Sequence, residues 1–198
     1  MTKVINSDQN VILTDCDGVL LNWEYAFDCW MAQHGHARND VVEYDVLHKY
    51  NLGEQKSKEM VRFFNESAAI GFLPPLRDAM YYVDLLHRKC GYTFHLLTSL
   101  SLDESAGKLR TQNIKKLFGE TAFSKFIFLD TGADKDQALA KYRGSGVIWV
   151  EDKIQNAVAG TTQGLRTFLI EHNYNMDYKN EKIKKVKNWK EIYETISG

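Results

Sequence analysis

Apolar positions along this chain follow two periods in turn. Short apolar runs occur at residues 11–14, 92–98, 126–129, 147–150 and 166–170. They are rich in β-branched and aromatic residues and have the length of buried strands. Between them, apolar residues three and four apart predict helices over 23–34, 54–70, 75–89, 103–118, 134–142, 155–160 and 188–196, with a weaker helical pattern over 39–53. Trp23, Phe27, Trp30 and Met31 fall on one face of the first helix, and Met60, Val61, Phe64 and Ala68 on one face of another. Such stripes build core. Gly35, Gly71, Gly91 and Gly119 stand where helices stop.

No β-alternation occurs between residues 22 and 72, so this stretch reads as an all-helical insertion. Its far boundary is Phe72-Leu73-Pro74-Pro75-Leu76, which holds both prolines of the chain. Elsewhere strands alternate with helices, and that order builds a mostly parallel sheet covered on both faces. The expected fold is therefore α/β and Rossmann-like. Residues 1–20 and 73–198 form its core, and residues 21–72 form a small helical cap inserted after the first strand.

Composition narrows the picture only slightly. The 198 residues are 44% hydrophobic and 26% charged, with a net charge of −1. That is ordinary for a globular protein. It gives no ground for extended nucleic-acid or membrane binding. No apolar run reaches the ~18 residues expected of a membrane span. Met1 to Asn10 is polar, without a signal-like core, and reads as a frayed lead-in. Three cysteines (Cys16, Cys29 and Cys90) suit free thiols in a reducing compartment. The expected location is cytoplasmic. The lysines at 179, 182, 184, 185, 187 and 190 are interleaved with Glu181 and Glu191 and read as a solvated surface.

Candidate chemistry sits where strands end. Strand 11–14 runs into Asp15-Cys16-Asp17-Gly18, strand 92–98 into Thr98-Ser99, and strand 147–150 into Glu151-Asp152. In a parallel sheet these ends lie on one edge, where ligands of open α/β sheets bind. Lys135 opens the helix before the last of these strands. Paired acids suit Mg²⁺, a hard cation that takes oxygen ligands. The hydroxyls and the ammonium suit phosphate oxygens. Alternation in a strand would aim Asp15 and Asp17 at one site and Cys16 away from it into packing, although residues 15–18 read as a turn that leaves regular strand geometry. Asp130 ends another strand as a competing acid or a turn former. Asn156 offers a polar contact or merely opens a helix. His34 and His36 lack a third ligand at metal spacing, and His95 reads as structural.

This order of motifs (Asp-x-Asp-Gly-Val, an apolar strand to Thr-Ser, a lysine, an acidic pair) resembles the haloacid dehalogenase superfamily of phosphohydrolases. The resemblance covers residues 11–20 and roughly 72–170. It implies Asp15 as the nucleophile that takes the phosphoryl group. It implies Asp17 as the acid and base, with a pKa above that of a solvated acid. Asp15, the backbone carbonyl of Asp17, and Asp152 would hold Mg²⁺, with Glu151 behind them in place of the commoner aspartate. Thr98, Ser99 and Lys135 would bind phosphate. An acid two residues after the nucleophile fits an ester leaving group, which needs a proton.

The layout is most similar to the 5'(3')-deoxyribonucleotidases. The shared stretches are Leu97-Thr98-Ser99, Lys115-Lys116-Leu117-Phe118-Gly119, Asp134-Lys135, Val150-Glu151-Asp152-Lys153, His172-Asn173-Tyr174-Asn175, and 186–192. Leu100 departs from that family's usual proline. The resemblance implies a small phosphorylated substrate, a nucleoside monophosphate. The alternatives are a sugar phosphate, a nucleic-acid terminal phosphate, or an inactive scaffold homologue. Trp23, Phe27, Trp30, Tyr44, Phe63, Phe64 and Phe72 are the aromatics available to the cap.

Overall fold

All five expected strands form, and a sixth joins them. The computed structural model describes residues 10–41 and 46–198. Residues 1–9 of the expected lead-in, the aromatic Tyr44 and part of the weak helical stretch 39–53 lie outside it. The strands are β1 (Val11–Thr14), β2 (Thr93–Ser99), β3 (Phe123–Leu129), β4 (Ile148–Glu151), β5 (Arg166–Ile170) and β6 (Ile183–Val186). All pair in parallel, in the order β3-β2-β1-β4-β5-β6. The helices are α1 (Trp23–Gln33), α2 (Val46–Tyr50), α3 (Glu54–Asn65), α4 (Ala79–Arg88), α5 (Glu104–Phe118), α6 (Asp136–Ala140), α7 (Ile154–Thr162) and α8 (Trp189–Ser197).

Two-residue alternation sends neighbouring strand residues to opposite faces. Ile12, Phe94, Val150 and Phe168 join one buried cluster with Val83 of α4, Ile114 of α5 and Ile192 of α8. Leu13, Leu97 and Trp149 join another with Leu139 of α6 and Ala159 of α7. Helices therefore cover both faces, and the central strands β1 and β4 are almost wholly apolar and buried.

β6 lies inside the stretch expected to be a solvated lysine surface. Ile183 and Val186 are buried, while Lys184 points to solvent and donates to Thr195 Oγ1 at 2.8 Å. Lysines suit an edge strand because their charge blocks further pairing. A strand with two lysines in four residues has too weak an apolar period to be read from sequence.

Residues 22–72 contain α1, α2, α3 and a 3-10 helix (Ala68–Phe72). α3 stops at Asn65 short of the expected Ile70, because the Ser67 hydroxyl accepts the Ala69 amide and starts the tighter turn. α4 starts at Ala79, later than the prolines suggested. Residues 74–76 are instead paired with residues 20–22: Asn22 N donates to Pro74 O at 2.9 Å, and Leu76 N to Leu20 O at 2.8 Å. The two passages between the sheet and the helical insertion thus lie side by side. Phe27, Met31, Met60, Phe64 and Ile70 of the insertion belong to the same buried cluster as Leu20, Leu21 and Leu73. Phe63 and Phe72 are exposed.

Candidate active site

β1 lies between β2 and β4, where the strand order reverses. Crevices at such switch points are where open α/β sheets bind ligands. Past the end of β1, the Asp15 amide still donates to Val150 O at 2.9 Å. That bond holds Asp15 beside the Glu151-Asp152 end of β4.

Lys135, just ahead of α6, points into the same place and is 2% exposed. Its Nζ lies 2.8 Å from Asp15 Oδ2 and 2.8 Å from Glu151 Oε2. Glu151 Oε1 accepts the amides of Asp152 at 2.9 Å and Lys153 at 3.0 Å. Both oxygens of Glu151 are thereby engaged, one on the ammonium and one on the start of α7. Asp152 is braced from the segment after β5. Tyr174 donates its hydroxyl to Asp152 Oδ2, and Asn175 Nδ2 donates to Asp152 O at 2.8 Å. The Tyr174 ring stacks on His172, whose Nε2 lies 2.7 Å from Gly18 O.

Gly18 is required by both its backbone and its surroundings. Its φ is +74°, and a Cβ there would lie 2.3 Å from Asp152 Oδ2. Only glycine permits both.

Asp15, Glu151 and Asp152 present carboxylate oxygens within 4.8 Å of one another. With Lys135 included, this buried group carries a formal excess of two negative charges. Burial is the largest cause pushing the Asp15 carboxyl up to about 7, and the Glu151 charge adds to it. Asp152 is pushed up to about 6, again by burial first and then by Asp15. Lys135 is held protonated by its two carboxylates, against burial. Asp15 Oδ1 is buried without a hydrogen-bond partner among the described residues. An all-oxygen donor set, an orphaned carboxylate oxygen and an excess charge of −2 fit a divalent hard cation.

Asp17 does not join this group through its side chain. The chain leaves strand geometry at Asp15, so two-residue alternation no longer applies. The Asp17 carboxylate turns instead to Arg110 of α5, forming an ion pair through Oδ1. The same Arg110 nitrogen reaches Cys16 Sγ at 2.8 Å. Cys16 is buried as expected, but its sulfur shares the Asp17 cation rather than merely packing away from it. The Asp17 carboxyl is raised above the usual range by burial, with Arg110 opposing.

Thr98 is buried at the end of β2. Ser99 donates to Ala133 O at 2.7 Å and so ties β2 to the loop that carries Lys135. Among the described residues neither hydroxyl bonds to Asp15 or Lys135. Asp130 is committed elsewhere: it accepts the Thr131 amide at 2.8 Å and pairs with Arg62 of α3 at 3.1 Å. Asn156 receives Trp149 Nε1 on its backbone carbonyl. His95 meets Tyr142, and His34 meets the Trp30 carbonyl.

Arg110, His172 and Tyr174 were missed as individual residues from sequence. His172-Asn173-Tyr174-Asn175 follows a strand end, the position that had flagged the acids. Arg110 shares a helix face with Ala106, Asn113, Ile114 and Phe118, and a charge on a core-facing position was the available signal.

Comparison with known proteins agrees with this fold. A haloacid dehalogenase-like hydrolase from Streptococcus pneumoniae superposes with a TM-score of 0.65 at 14% identity, covering 96% of this chain and 99% of that one. CbbY from Rhodobacter sphaeroides, solved with phosphate, gives 0.60 at 15% identity over 92% and 96% of the two chains. YfnB from Bacillus subtilis, a HAD-hydrolase solved with magnesium, gives 0.61 at 11% identity over 96% and 99%. The chain has the haloacid dehalogenase fold. Asp15, Thr98, Ser99, Glu151 and Asp152 lie at or just past the carboxyl ends of its strands. No family model matches the sequence. An uncharacterized 32.4 kDa protein of Enterobacteria phage T4, from the Gp30-rIII intergenic region, is 25% identical over 150 residues, 71% of this chain and 53% of that protein. The chain spans about half the length of this relative. No helix among the described residues is long and apolar enough to cross a membrane.

Proposed function

We propose that this chain is a divalent-metal-dependent phosphomonoesterase that works through an aspartyl-phosphate. The observation that carries the reading is Lys135, held between Asp15 and Glu151 beside an Asp15 oxygen that has no partner among the described residues. A structural ion pair would satisfy both oxygens of a buried carboxylate.

In this reading an Asp15 oxygen attacks phosphorus, and the bond to the ester oxygen breaks. Asp17 gives its proton to the departing alkoxide. Asp17 then takes a proton from water, whose oxygen attacks the phosphoryl group, and Asp15 is released with inorganic phosphate. Lys135 and the Thr98 and Ser99 region hold the phosphate oxygens. Asp15, Asp152 and the Asp17 carbonyl would hold Mg²⁺. When bound, the cation neutralises phosphate charge.

The helical insertion, residues 21–72, acts as the cap over this site. We propose a nucleoside monophosphate as the substrate class; Phe63 and Phe72 keep exposed rings on the insertion, which suit a base. A sugar phosphate is the second reading. It is favoured by CbbY, a mutant of which was solved with xylulose-(1,5)bisphosphate. The test is hydrolysis of nitrophenyl phosphate with and without Mg²⁺, in wild type and in Asp15→Asn, followed by a panel of nucleotides and sugar phosphates. Mg²⁺-dependent turnover that is lost in Asp15→Asn supports the reading. No turnover of any ester would leave an inactive scaffold.

A further inference from the structure

Arg110 is fully buried, yet its bonding is incomplete. One nitrogen serves Asp17 Oδ1 and Cys16 Sγ, while Nε and the other terminal nitrogen are buried without partners among the described residues. Leaving buried donors of a charged group unmade costs stability. An apolar side chain of similar size would serve a core better. Rules broken at a few residues in an otherwise consistent fold point to function.

The geometry on either side of the ion pair differs. The Arg110 side chain is 0% exposed, and the Asp17 side chain is 22% exposed. The guanidinium therefore grips the carboxylate from its buried side and leaves the other side open. A donor facing Oδ1 excludes a proton from that oxygen. Any proton carried by Asp17 must then reside on Oδ2. α5, which carries Arg110, is itself fixed: Asn113 Nδ2 donates to Leu73 O at 3.1 Å, and Leu109 packs against Gly71. A rigid support of this kind is what a proton donor needs.

We propose that Arg110 is a positioning residue that fixes the Asp17 carboxylate and assigns its proton to Oδ2, so that Asp17 delivers it to the leaving group. The proposal rests on the phosphomonoesterase reading. Arg110 itself touches neither substrate nor metal; it acts through Asp17. Its effect on rate must therefore follow the need for a proton. Esters with acidic leaving groups need little help, and alkyl esters need the most.

The test is Mg²⁺-dependent hydrolysis of nitrophenyl, phenyl and alkyl phosphates by the whole chain. The proteins are wild type, Arg110→Lys, Arg110→Met, Asp17→Asn and the double variant Asp17→Asn/Arg110→Met. The double variant removes both charges, so it folds without a lone buried ion even where Arg110→Met does not. The expected result is a kcat loss that grows by about tenfold or more from the nitrophenyl to the alkyl ester, within the range of acid catalysis. KM should change little, and Arg110→Lys should recover part of the loss. Adding Arg110→Met to Asp17→Asn should cost less than about twofold more, because the two residues act as one unit. An equal loss on all esters, or a full additional loss in the Asp17→Asn background, would overturn the positioning role and leave Arg110 as structure. Wild type that hydrolyses none of the esters would overturn the phosphomonoesterase reading itself.

Discussion

Lys135 and Asp15 meet at the carboxyl ends of the paired strands β1 and β4, Nζ to Oδ2 at 2.8 Å, and Glu151 fixes the lysine from its other side. Three carboxylates in contact need that ammonium in order to remain charged. Lys135→Met is expected to lower kcat for an aryl phosphate by about 10²- to 10³-fold, as for other donors to a developing charge. Glu151→Gln keeps the shape and the amide contacts but removes one charge. Its expected loss is smaller, about tenfold. Equal losses in the two variants would mean that Glu151 contacts the metal or substrate itself.

Asp17→Asn removes the proton carrier and leaves the nucleophile. Aspartyl-phosphate should then form on a nitrophenyl ester and turn over slowly. Intact mass after mixing should show one added phosphoryl group, absent in Asp15→Asn. Normal turnover by Asp17→Asn would remove it from the mechanism.

The acidic group also sets a pH dependence. Asp15 and Asp152 ionise near 3.8 when unfolded and near 7 and 6 when folded. Between those limits the folded state binds more protons, so stability of the metal-free protein falls as pH rises from about 4 to about 7. Burial is the first cause in both cases. Mg²⁺ should relieve the charge, and its stabilising effect should be larger at pH 7.5 than at pH 5 on the same linkage. Thermal melts with EDTA or millimolar Mg²⁺ at both pH values check this. A pH-independent Mg²⁺ shift would place the cation elsewhere.

Gly18→Ala tests the close approach to Asp152. Positive φ alone costs an alanine about 1 kcal/mol, and the added methyl must displace the Asp152 carboxylate from Tyr174. A loss of Mg²⁺ affinity is expected, measured by calorimetry, beyond that of Tyr174→Phe. Tyr174→Phe removes only the bracing hydroxyl and should weaken the metal by about tenfold.

Much of the site could be read from one-dimensional signals. Asp15, Lys135, Glu151 and Asp152 each stand at an element end, and strand ends on one edge of a parallel sheet must converge. Asp17 was identified as a residue but not in its direction. Its side chain follows the turn at 15–18, and alternation in a strand says nothing about a turn. β6 escaped because its two apolar residues, Ile183 and Val186, stand three apart on either side of two lysines and enter different buried clusters, which leaves no two-residue apolar period to read.

The sequence by itself determined the alternation of the first five strands with helices, and thus the α/β class and the residues that end those strands. Local periodicity encodes that much, since it depends only on neighbours a few positions apart. Tertiary structure alone decided which side chains share a charge. Arg110 lies 93 residues from Asp17, and Tyr174 lies 22 from Asp152. Pairing at such separations is fixed by how the helices pack on the sheet, and no short sequence pattern carries it.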